Sequence, residues 1–226
     1  MGEQLRQIAV VVGKDLLLEL RTREVLWTAG LFSVVLVTLF VFSGFETAAI
    51  ARGAAPGVLW VSLAFVGTLV FTRTFQREKE SRVLDGLLLV PGAVDALFVG
   101  KLTVNVLLLA ALEVVLVPMV VTTFRVEVFA PGAMATALLL GTLGYCALGT
   151  VLSASLASVK LREVLLPLVL FPLAIPLFVA GVRATHAATV AEGGAESWLG
   201  LMVAMDALYL VLASWLFRQA VDHGEA

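Results

Sequence analysis

Six stretches of this chain run almost without charge: Val25–Phe45, Pro56–Thr74, Leu97–Thr122, Gly132–Ser158, Val164–Val182 and Ser197–Phe217. A helix of about 20 apolar residues rises roughly 30 Å, the thickness of the hydrocarbon layer of a bilayer. In that layer no water satisfies backbone N–H and C=O groups, so each stretch must form its own helix. The third and fourth are long enough to tilt or to extend beyond the lipid. Composition agrees: of 226 residues, 61% are hydrophobic and 14% charged, against about 45–50% and 25% in soluble domains. The mean hydropathy is +1.05. The chain is therefore expected to be all-α, a polytopic membrane protein with six spans forming one domain over residues 1–226. Residues 1–24 precede the bundle, 25–217 form it, and 218–226 make a short tail.

The charges between the spans are unevenly placed. Four Lys or Arg lie in residues 1–24, five from Arg73 to Lys101, two at Lys160 and Arg162, and one at Arg218. The remaining connections carry Arg52, Arg125 and Arg183, one each. If the spans alternate, twelve cations share one side and three the other, and the excess marks the cytoplasmic side. Both termini are then cytoplasmic. The net charge of −2 offers no surface for nucleic acid. Residues 1–24 are charged throughout and contain no apolar run of the signal-peptide type, so the first span is expected to act as its own insertion signal. The single cysteine, Cys146, lies in an apolar run. It excludes an internal disulfide and reads as a small apolar filler.

Before the first span, Leu5, Ile8, Ala9, Val12, Leu16 and Leu20 recur at three- and four-residue spacing, while Glu3, Arg6, Gln7, Lys14 and Arg21 fall elsewhere. That pattern predicts an amphipathic helix lying in the cytoplasmic interface against membrane lipids. Between the second and third spans runs Arg73-Thr74-Phe75-Gln76-Arg77-Glu78-Lys79-Glu80-Ser81-Arg82-Val83-Leu84-Asp85-Gly86-Leu87-Leu88-Leu89-Val90-Pro91, with Gly100-Lys101 beyond. Val83, Leu84, Leu87 and Leu88 form an apolar stripe at helical spacing. Glu78, Lys79, Arg82 and Asp85 project elsewhere, and Pro91-Gly92 stops the helix. A short charged helix of this kind suits a soluble partner; the plainer reading is a solvated loop.

The run Arg77-Glu78-Lys79-Glu80-Ser81, followed by Leu84-Asp85-Gly86-Leu87-Leu88, Pro91 and Gly100-Lys101, resembles the coupling segment of type-2 ABC exporter permeases. Arg82 stands where many members have glycine. Two further stretches narrow the resemblance: Ala55-Pro56-Gly57-Val58-Leu59-Trp60-Val61, and the fifth span from Leu165 through Pro167, Pro172 and Pro176 to Leu177. Both are similar to the membrane permease family of the haem (heme) exporter used in cytochrome c maturation. The resemblance implies a bacterial inner-membrane location and a separate ABC ATPase docked on the coupling residues, with ATP held in that partner. It also implies a second membrane subunit, identical or related, and companions that handle haem: a membrane subunit and a haem chaperone. Haem is then a handled ligand, not a cofactor of this chain. Other readings are a type-2 permease for a lipid, glycan or drug, and a scaffold that transmits ATPase work to release of the chaperone.

Three prolines in ten residues of the fifth span remove three donors. They predict an irregular segment facing the bundle or a cavity, where transporters place moving parts. Glu113 and Asp206 each lie about 18 Å from the cytoplasmic end of their spans, counted from Lys101 and Arg218. An acid at mid-bilayer costs about 2.5–3.5 kcal/mol, so neither should face lipid. If their helices are neighbours, the two could share a proton or line one cavity; otherwise each bonds to Thr, Ser or backbone. Ala133, Ala137 and Gly141, then Gly149, Ser153 and Ala157, step by four along the fourth span and favour close helix approach.

Gly13-Lys14 and Gly100-Lys101 both lack the upstream glycine and the following Ser or Thr of a phosphate-binding loop, and no HExxH, GxSxG or CxxCH occurs. The chain is not expected to hydrolyse ATP. His186 and His223 are the only histidines; a lone loop histidine is usually solvated, so His186 is not expected to ligate haem, which partner subunits would mainly bind.

Overall fold

The computed structural model describes residues 2–75, 92–157, 159–190 and 194–222, and the side chains through Gln219. Among them lie seven helices: α1 Gly2–Thr22, α2 Glu24–Phe42, α3 Ala48–Arg73, α4 Ala93–Thr123, α5 Pro131–Ser155, α6 Arg162–Ala188 and α7 Ala195–Asp222. The last six are long and apolar enough to cross a membrane. The chain is a polytopic membrane protein.

Several helices run past their apolar stretches, α3 and α6 furthest at one end. The second span begins at Ala48 rather than Pro56, because Thr47 caps it by accepting from the Ile50 N–H at 3.3 Å. Pro56 therefore sits inside the helix, past two alanine-rich turns interrupted by Arg52 and Gly53. The fifth runs to Ala188 rather than Val182, its last turn held by small residues and not by hydropathy. Neither extension is visible to a scan for apolar residues.

Helix α5 occupies the centre, against α3, α4, α6 and α7. Its small residues receive large side chains from its neighbours. A Cβ on Gly149 would lie 2.3 Å from the Phe71 ring, and one on Gly141 would lie 2.1 Å from Trp60. Trp60 also presses on Gly181 of α6, and its Nε1–H donates to Thr185 Oγ1 at 3.0 Å. The Tyr145 ring stacks edge-on against Phe71 at 5.0 Å, and its hydroxyl donates to the Ala64 carbonyl at 2.6 Å. The small-residue steps of the fourth span thus serve packing within the chain. The middle of the bundle is filled by aromatic rings.

Helix α2 lies at the edge, against α3 and α4. Trp27, Leu31, Val35, Leu39 and Phe42 stay exposed, a surface that only lipid or another subunit can cover.

The N-terminal helix forms as its periodicity predicts, but with a different inner face. Ile8, Val11, Val12, Asp15, Leu16 and Glu19 turn toward the bundle, while Leu5 and Leu20 remain exposed. The reason is Gly100 of α4. A Cβ there would sit 2.7 Å from Val11 Cγ1, so the missing side chain lets α1 seat directly on α4. The chain then turns through one left-handed residue, Arg23 with φ 51°. Such a turn costs about 1–2 kcal/mol for a non-glycine residue. It is offset by buried Glu19, whose Oε1 accepts from the Leu26 N–H at 3.0 Å and caps α2.

Candidate functional site at the end of the bundle that carries both termini

The coupling residues Arg77, Glu78, Lys79, Glu80, Ser81, Arg82, Leu84, Asp85, Gly86, Leu87, Leu88 and Pro91 all lie outside the described residues. What the structure does give is the frame from which that segment leaves and to which it returns.

Its departure is fixed at Thr74 and Phe75. Phe75 is buried, 5.9 Å from the Phe217 ring, which in turn packs on Phe98 at 5.1 Å. The Lys101 ammonium lies 5.3 Å from the Phe75 centroid, donates to the Thr74 carbonyl at 2.8 Å, and pairs with Asp15 at 2.8 Å. Lys101 is 3% exposed. A cation so buried is stable only when paired and hydrogen-bonded, and removing one partner of a buried pair costs about 3–5 kcal/mol. Thus α1, α4 and the end of α3 meet on one ammonium.

Its return is fixed at Gly92, whose φ of 76° is a left-handed conformation open to glycine. The side chain of Gln4 on α1 stands 3.3 Å from where a Cβ would be. One turn later, Asp95 accepts two bonds from Arg218 of α7, at 2.8 and 3.0 Å. On the other flank, Arg73 at the end of α3 pairs with Glu24 at the start of α2. Both pairs are exposed and contribute little energy singly, but they fix where the helix ends lie.

From this frame a polar ladder enters the bundle. The Thr74 hydroxyl donates to Asn105 Oδ1 at 3.0 Å, and Asn105 Nδ2 donates to Thr150 Oγ1 at 2.9 Å. Ser153, one turn along α5, donates to the Phe71 carbonyl at 2.8 Å. Asp15, Lys101, Thr74, Asn105 and Thr150 therefore join α1, α4, α3 and α5 in one chain of contacts. Sequence reasoning picked out Gly100-Lys101 but missed Asp15, Asn105 and Thr150. The available signal was Asn105, an amide in an apolar span with no reason to face lipid.

The two membrane acids do not meet. Glu113 accepts from the Thr142 hydroxyl, whereas an oxygen of Asp206 lies 2.2 Å from where a Cβ on Gly144 would stand. Residues 142 and 144 are two positions apart on α5, about 200° around the helix. The acids thus approach α5 from opposite sides. Both carboxylate oxygens of Asp206 are buried, and neither has a hydrogen-bond partner among the described residues.

The prolines sit otherwise than expected. Pro167, Pro172 and Pro176 fall inside one continuous helix, with Pro172 and Pro176 exposed and Pro167 half-buried. The buried face is instead Leu166, Leu170, Ala174, Leu177, Ala180 and Ala184. A proline ring on the outer side removes a donor without forcing the inner ridge apart. The Tyr209 hydroxyl of α7 donates to the Leu173 carbonyl at 2.7 Å, tying this stretch to its neighbour.

Sequence comparison decides the family. The model of the CcmB protein family matches residues 6–224. The chain belongs to the CcmB family. A relative, "Heme exporter protein B" of Bradyrhizobium diazoefficiens, is 22% identical over 217 residues, covering 96% of this chain and 98% of its own length. The CcmB match spans the frame from Asp15 through Arg218, together with residues 76–91 between its two flanks.

Proposed function

We propose that this chain is the membrane subunit of an ABC system for haem export in c-type cytochrome biogenesis, driven by a separate ATPase. One observation carries the reading beyond the family match: both flanks of residues 76–91 are clamped to α1, α2 and α7 at one end of the bundle. Displacement of that segment would then be passed to several helices together, and through Asn105 and Thr150 to the central α5. The ATPase would dock on residues 77–91, and ATP-driven movement of the docked subunit would pull on the clamp.

In this reading the clamped end faces the cytoplasm of a bacterial inner membrane, as the distribution of Lys and Arg favours. Nucleotide binds in the partner, and this chain contributes no catalytic group. Because aromatic rings fill the bundle centre, cargo would pass along a face of the subunit and not through its middle. A second membrane subunit would cover that face, and a haem-handling membrane protein and a chaperone would receive the product.

Deleting the chain from a cell that makes c-type cytochromes should abolish covalent haem attachment, and re-expression should restore it. A variant of the partner ATPase that binds but does not hydrolyse ATP should reproduce the deletion. Normal c-type cytochromes in the deletion strain would overturn the proposal.

A further inference from the structure

At the end of the bundle opposite the termini, three segments surround a cavity of about 310 Å³. Arg52 comes from the second turn of α3, Val126, Glu127 and Phe129 from the α4–α5 connection, and His186, Thr189 and Val190 from the end of α6. The α4–α5 connection is held in place: the N–H groups of Phe129 and Ala130 both donate to the Ala188 carbonyl, at 3.0 and 3.1 Å. Phe124, at the end of α4, packs edge to face on Phe45 at 5.7 Å. The cavity is therefore built by the fold, not by a loose loop.

The Thr189 hydroxyl is taken, donating to the His186 carbonyl at 2.7 Å, but the ionisable groups are largely uncommitted. Arg52 spends Nε on the Ala48 carbonyl at 3.3 Å. Among the described residues, no hydrogen bond or ion pair engages its terminal nitrogens, the His186 imidazole or the Glu127 carboxylate. Phe129 is 56% exposed and Val190 39%, so apolar surface lies beside a guanidinium and an imidazole. In sequence these residues are scattered over 139 positions, from Arg52 to Val190, and His186 reads there as a solvated loop histidine.

Resting on the haem-export reading above, we propose that this cavity transiently holds the propionate-bearing half of an iron porphyrin, up to the iron. The His186 imidazole would give a nitrogen lone pair to the iron. Arg52 would meet a propionate carboxylate, a charge-assisted contact, and Phe129, Val126 and Val190 would cover part of the ring. The volume lies at the low end of the roughly 300–1,000 Å³ of small-molecule sites. The cavity thus takes half of the ring, as far as the iron, and leaves the rest of the macrocycle for a receiving partner. Among the described residues that line the cavity Glu127 is the one acid, and it opposes a second carboxylate, which favours release over retention.

The test is haemin titration of the full-length chain in lipid nanodiscs, with empty nanodiscs as the blank. The wild type should give a saturable Soret shift, and its ferrous nitrosyl form should show nitrogen hyperfine splitting from an axial imidazole. His186→Ala should lose that splitting. Arg52→Gln should keep it but bind haemin about tenfold more weakly, as expected for one charge-assisted bond, with no such loss for haemin dimethyl ester. Glu127→Gln should bind haemin more tightly. Thermal unfolding of each variant checks that the fold is kept, which is expected because all three side chains are exposed. A wild type without saturable binding, or a His186→Ala spectrum identical to it, overturns the site. If that happens while deletion of the chain still abolishes c-type cytochromes, only this site falls and the proposed function is untouched.

Discussion

Lys101 shows how one side chain organises a whole end of this protein. At 3% exposure it joins Asp15, the Thr74 carbonyl and the Phe75 ring, so its removal leaves the Asp15 carboxylate only Lys14, at 3.4 Å, as an ion-pair partner. Lys101→Met should destabilise the protein by about 3–5 kcal/mol, and adding Asp15→Leu should recover most of that loss. Thermal unfolding in detergent and a double-mutant cycle measure both; strict additivity would mean the pair is not coupled. Asp206 is the opposite case, a buried carboxylate without a partner among the described residues. Asp206→Ala should therefore raise the unfolding temperature, since it removes an unsatisfied group. A fall would show that the acid is hydrogen-bonded within the folded chain. At this scale the sequence is half readable. Glu113 and Asp206 stand out by charge in apolar spans. Their placement on opposite sides of α5 depends on tertiary contacts with Thr142 and Gly144, which no spacing within one helix encodes.

At the scale of elements, α1 is both foreseen and misplaced. The three- and four-residue spacing predicts its helix, but the seat on α4 comes from Gly100, and the face that fits turns Asp15 and Glu19 inward. The contact is testable at Gly100 itself, where a Cβ would stand 2.7 Å from Val11 Cγ1 and 2.9 Å from its Cβ. Gly100→Leu should push α1 off α4 and lower the unfolding temperature in detergent. An unfolding temperature unchanged by Gly100→Leu would contradict the packing. The fifth span teaches a complementary lesson: three prolines predict a broken, inward-facing segment. The helix instead keeps Leu170, Ala174 and Leu177 on its buried ridge and turns Pro172 and Pro176 outward. Proline chemistry fixes which donors are lost, but not which way they face.

For the whole molecule, the apolar stretches revealed all six spans, because hydrocarbon permits little else. Helix ends were less legible, since Thr47 capping and the small residues near Ala188 act without hydropathy. The site was legible as a charged segment and hidden as a frame: Asp95 and Arg218 lie 123 positions apart. If residues 77–91 receive the ATPase and the clamp passes on its movement, the charged run must be what the ATPase holds. Reversing the charges from Glu78 to Asp85 in the full chain, co-expressed with its ATPase, puts that to trial. The variant should insert in the membrane at wild-type levels but no longer bring down the ATPase. Undiminished co-purification from the same membranes would contradict the docking and, with it, the coupling role of the clamp.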